Sequence, residues 1–156
     1  MPNTRSRIEL TEEEQRELID DTRIFQSTSI DPDRLPHLVP MLFVFDDEEL
    51  LAFTIYGSSQ KVKNLERDQR VTTRSETGDT YDQVRILSID GRAEIIHDPH
   101  VTARALQLVG ARYGNRPRPE PNADADADAA PPPAAYKRVT IRIHPERVRN
   151  WYHRKL

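Results

Sequence analysis

The sequence predicts a mainly β fold, a small antiparallel barrel with helices at its periphery. Three observations lead there. Short apolar or alternating runs, about six, recur between turns marked by glycine, proline and aspartate. Two of these runs, within residues 42–45 and 50–56, are apolar without a break, so both faces of those strands are expected to be covered. The chain has 156 residues, which suits one domain (1–156) with one core but not helical layers on both faces of a sheet. A closed barrel covered on its outside by a partner subunit meets the same need.

In order, Thr11-Glu12-Glu13-Glu14 has the pattern of a capping box and predicts a short helix to about residue 20. Residues 23–30 read as a first strand, and Asp31-Pro32-Asp33-Arg34 as a turn. Residues 37–45 and 50–56 form a hairpin of strands two and three. Gly57 and two serines then lead into a helix over 59–68, with Val62 and Leu65 on one face. Residues 70–75 alternate as a fourth strand, and Thr77-Gly78-Asp79 is a turn. A long strand over 83–97 is interrupted at Asp90-Gly91, a bulge or barrel corner. Asp98-Pro99 opens another helix as N-cap and first helical residue. Residues 137–143 alternate strictly as the last strand, and Pro145 is expected to start a short helical turn.

Composition narrows the function. A net charge of −3, from 23 basic and 26 acidic residues, argues against a general nucleic-acid binder. With no cysteine there is neither a disulfide framework nor thiolate chemistry. No apolar run approaches membrane-spanning length, so a cytoplasmic protein without a membrane partner is expected. The charged fraction of 31% is high for a single domain. Residues 115–135 differ in composition from the rest. They hold half of the 12 prolines and an Asp-Ala repeat, and are expected to form a flexible, disordered surface loop. No histidine pair has zinc-like spacing with an acidic or cysteine partner, so no metal site is expected.

The stretch Tyr56-Gly57-Ser58-Ser59-Gln60-Lys61 joins a strand to a helix start. Free N–H groups, the positive end of the helix dipole, the Ser59 hydroxyl and the Lys61 charge suit a phosphate there. The same residues also suit an ordinary serine-capped helix with a solvated basic face. The spacing is not that of a P-loop.

Several segments resemble one family: Leu35-Pro36-His37-Leu38-Val39, Ser59-Gln60-Lys61-Val62 with Asn64-Leu65 and Arg67-Asp68, Asp79-Thr80-Tyr81-Asp82-Gln83, Asp90-Gly91-Arg92-Ala93-Glu94-Ile95, and Pro145-Glu146-Arg147-Val148-Arg149 with Trp151. In this order they resemble the pyridoxamine 5′-phosphate oxidase-like split-barrel superfamily. Within it, the look is closest to the actinobacterial reductases that use the deazaflavin coenzyme F420. The resemblance implies a homodimer of six-stranded antiparallel split β-barrels, with cofactor sites at the subunit interface. It places the cofactor phosphate on Ser59 and Lys61, flanked by Ser58 and Gln60. It lines the ring with residues of the 42–44 and 54–56 segments, Leu42, Phe43, Thr54 and Tyr56 among them, and puts Lys63 and Asn64 nearer the rim.

Two departures bear on the cofactor. Gly57 and Ser58 stand where relatives often carry a lysine, and Leu42 where an aromatic residue is common. The expected activity is hydride transfer from F420 to an electron-poor small-molecule substrate, with FMN as the alternative cofactor. An FMN-dependent oxidase or reductase, and a non-catalytic binder of a flavin, F420 or haem, are the other readings. Basic residues clustered near the helix suit the phosphodiester and polyglutamate tail of F420. No protein nucleophile is expected, and the proton donor is open between Tyr56, Tyr81, His37 and water.

Overall fold

The computed structural model of the chain describes residues 7–121 and 129–155. Helix α1 (Glu12–Asp21) carries the capping box in full: Thr11 Oγ1 accepts from Glu14 N at 3.2 Å, and Thr11 N donates to Glu14 Oε2 at 2.7 Å. It buries Leu18 against Leu10 and Leu87. Strands β1 (Phe25–Ile30), β2 (Pro36–Met41), β3 (Val44–Phe45) and β4 (Leu51–Tyr56) follow, then helix α2 (Gln60–Arg67). After it come β5 (Arg70–Thr77), β6 (Arg85–Ile96), helix α3 (Pro99–Tyr113), the short helix α4 (Pro133–Tyr136) and β7 (Arg138–Tyr152).

The strands form one curled antiparallel sheet in the order β2-β1-β5-β6-β7-β4-β3. The sheet is a split barrel. Its two edges, β2 and β3, do not pair with each other. Seven strands stand where six were expected, because the second expected strand breaks between Met41 and Val44. Phe43 turns inward there and is fully buried, while Leu42 stays 45% exposed.

The core lies inside the curl. Phe25, Phe43 and Phe53 meet there, with ring centroids 5.1 and 5.7 Å from Phe25. Helix α2 closes one end with Val62 and Leu65, the pair that shares a face by spacing. On the other face of β4, Ala52 and Val44 pack against Leu108 of α3. Each fully buried side chain of this size contributes roughly 1.5–3 kcal/mol.

Two local features differ from the sequence expectation. Pro145 starts no helical turn; β7 continues through it to Tyr152. The strand tolerates it because Pro145 lies opposite Gly91, where the β6–β7 register shifts, so the missing N–H costs no regular ladder bond. Gly91 itself has no room for a side chain: a Cβ there would stand 2.4 Å from the His144 carbonyl oxygen. Part of the 115–135 segment is ordered, since Pro133–Tyr136 is helical and Ala135 is buried. Most of the Asp-Ala repeat, residues 123–128, lies outside the described residues.

Candidate functional site

Helix α2 begins as its sequence dictates. Ser59 is the N-cap, with extended backbone, and its Oγ accepts from Val62 N at 3.4 Å. Ser59 N donates to Tyr56 O at 3.0 Å, which closes the turn. A capped first turn leaves the N–H groups of Gln60 and Lys61 as donors without helical acceptors. Ser58, Gln60 and Lys63 are exposed around this end and Ser59 is half-buried. None of these residues is acidic.

Lys61 is the unusual member. It is only 2% exposed, and its Nζ has no hydrogen-bond partner among the described residues. The amine lies over the Phe53 ring, 5.3 Å from the centroid. Burial without a counter-charge lowers its pKa from 10.5 to about 8. Ser27 Oγ, on the inward face of β1, is likewise buried and unpartnered.

The ten expected site residues are not gathered on one surface. Leu51 and Phe53 of β4 face the barrel core, together with Lys61. Thr54 and Tyr56 alternate to the opposite face, the one covered by α3; Thr54 pairs with Thr140, whose hydroxyl is 3.1 Å from that of Thr102 in α3. Phe43 is a core residue: Arg112 stacks on its ring at 4.5 Å, and Phe25 meets its edge. Asn64, expected near a rim, is fully buried. It is so because four polar neighbours satisfy it: Gln60 and Arg67 at Oδ1, Ser29 and His37 at Nδ2. Leu42 and Tyr56 remain exposed, at 45% and 54%.

Sequence reasoning missed Lys137 and Arg138. In the fold, Tyr56 pairs with Arg138 across β4 and β7, and the guanidinium lies over the Tyr56 ring at 4.2 Å. Gly57 N donates to Lys137 O at 3.1 Å, so the start of β7 is fastened to the turn before α2. Among the described residues Lys63, Lys137 and Arg138 make no ion pair, whereas Arg70, Arg85, Arg104, Arg142 and Arg149 all do. Their only local signal was two adjacent basic residues at a strand start. Strand pairing supplies the rest.

Two concavities of about 460 and 410 Å³ lie elsewhere, one walled by Arg92, Glu94 and His144, the other by Thr72, Asp90 and Arg149. Neither is lined by any of the ten residues. Among the described residues, no helix is long and apolar enough to cross a membrane.

A curled antiparallel sheet with a helix closing one end and an anion-suited turn before it defines a split barrel of the flavin-binding kind. The chain belongs to the pyridoxamine 5′-phosphate oxidase family, whose model matches residues 11–152. No curated protein matches the sequence. Among solved structures, a conserved hypothetical protein of Mycobacterium tuberculosis is 34% identical, covering 97% of this chain and 90% of its own, with a TM-score of 0.80. An F420 reductase is 25% identical over 86% of this chain and 94% of its own, with a TM-score of 0.63. The haem storage protein of Vibrio cholerae is similar in fold at 17% identity, covering 92% and 97%, with a TM-score of 0.65.

Proposed function

We propose that the protein is a homodimeric oxidoreductase that uses coenzyme F420 to reduce an electron-poor small molecule. The observation that carries this reading is the corner at the start of α2. Ser59, the free first-turn N–H groups and Lys61 lie on the helix start, and the turn before it is fastened to Lys137 and Arg138, which like Lys63 make no ion pair among the described residues. An orphaned buried amine fits an anionic group, because an anion supplies the partner that the described residues do not. Ser59 and Lys61 would hold the cofactor phosphate. Arg138 and Lys137 replace the positive charge that Gly57 and Ser58 do not provide. When bound, the deazaflavin ring supplies the hydride chemistry; the protein orients and screens it.

A second copy of the chain completes the site. Leu35, Leu38 and Leu42 are 61%, 60% and 45% exposed, on and beside the edge strand β2. The F420 reductase among the structural relatives supports the choice of cofactor.

The test is a titration of the purified protein with coenzyme F420 and with FMN, followed by Trp151 and cofactor fluorescence. Tight F420 binding with weak FMN binding is the expected result. The reverse preference would move the protein to FMN chemistry, and binding of neither would overturn the proposal.

A further inference from the structure

Asn64 is fully buried on the inner side of α2, three residues after Lys61. Its Oδ1 accepts from Gln60 Nε2 at 2.9 Å and from an Arg67 guanidinium nitrogen at 3.3 Å. Arg67 is itself anchored on the Ile30 carbonyl oxygen at 2.6 Å. A guanidinium only donates, so the atom that faces it is the amide oxygen. The other end of the amide is therefore NH₂. One of its protons points to Ser29 Oγ at 3.2 Å, and the other to His37 Nδ1 at 3.4 Å. A ring nitrogen that faces a donor must be bare. The ring proton of His37 then sits on Nε2.

We infer that Asn64 is a positioning residue that fixes His37 as an Nε2–H hydrogen-bond donor, aimed at an oxygen of the ligand bound at the open edge of the sheet. His37 is half-buried on the edge strand β2, directly opposite Ser29 of β1. A ring protonated at both nitrogens would set an N–H against the Asn64 NH₂ and lose this contact. While the contact holds, His37 offers a hydrogen bond but has no second proton to release. It stabilises negative charge on an acceptor oxygen, such as that of a carbonyl under reduction, and the proton itself comes from another group. The tautomer follows from the amide geometry alone. The ligand-facing role rests on the proposed function.

The experiment is nitrogen-15 NMR of the uniformly labelled full chain, with the His37 signals assigned by their loss in His37→Gln. A bare Nδ1 and a protonated Nε2 are expected. In Asn64→Asp the proton should move to Nδ1, because a carboxylate accepts where the amide donated. A wild-type ring protonated at Nδ1 overturns the inference, whether or not the aspartate variant folds. Coenzyme F420 or FMN is then added to the wild-type sample. The Nε2–H resonance is expected to shift on saturation, and a resonance unmoved with cofactor bound removes the ligand-facing role. Failure of both cofactors to bind overturns the proposed function and that role together, and the first spectrum still decides the tautomer.

Discussion

The Lys61 amine lies 5.3 Å from the centre of the Phe53 ring, buried and without a hydrogen-bond acceptor. The ring face attracts the cation but does not replace its lost hydration. A buried charge in this state opposes folding of the free protein. Under the proposed function, a bound anion supplies the partner that this amine lacks.

Lys61→Met should therefore separate stability from binding. Removal of the charge relieves a penalty on the order of 3 kcal/mol at neutral pH, estimated from the lowered pKa of Lys61. The melting temperature of the cofactor-free protein should rise by roughly 6–12 °C. Affinity for the phosphate-bearing cofactor should fall by about 10- to 100-fold, the loss of one charge-assisted contact. A melt and a titration on the same sample check both signs.

The pH dependence has a definite direction. Lys61 titrates near 10.5 when unfolded and at about 8 when folded. Below pH 8 both states hold the proton, and the penalty is present in full. Between pH 8 and 10.5 the folded state has released its proton while the unfolded state keeps it, so stability gains with rising pH. The Lys61 contribution to a chemical-denaturation series should thus become less unfavourable across that window. The gap between wild type and Lys61→Met should narrow there. Anion affinity should weaken over the same window, because the neutral amine attracts no phosphate.

Arg138→Gln tests the corner assembled by strand pairing. Arg138 lies over the exposed ring of Tyr56 and has no carboxylate partner among the described residues. Its loss should weaken F420 binding about 3- to 10-fold at low salt, and less as salt screens the charge. The effect on FMN should be smaller, since FMN has no polyanionic tail. Equal effects on both ligands would place Arg138 at the phosphate itself. No effect on either would remove it from the site.

Gly91→Ala is a test of the fold alone. The added methyl would meet backbone atoms of His144 at 2.4 and 3.1 Å, and backbone cannot swing aside. Destabilisation on the order of 2–4 kcal/mol is expected, read as a lower urea midpoint with an unchanged slope.

The sequence by itself determined the features that depend on neighbours within about four residues. The Thr11–Glu14 capping box, the Ser59 and Asp98 caps and the pairing of Val62 with Leu65 on one helix face all arise from such local contacts. The irregularity at Asp90-Gly91, a register shift against β7 within an unbroken β6, was legible for the same reason. The family resemblance was carried by these local segments too.

Tertiary structure alone decided which distant residues meet. Pro145 reads locally as a helix start, yet it sits in a strand beside the register shift with β6, where Glu146 is the extra residue. Thr54 and Tyr56 stand on a different face from Phe53 and Lys61, and α3 must be in place to show which face is covered. Asn64 became interior only when β1 and β2 brought Ser29 and His37 to it. Arg138 joined Tyr56 through sheet register. Register and packing are set by burial of the whole core, and no window of sequence contains that information.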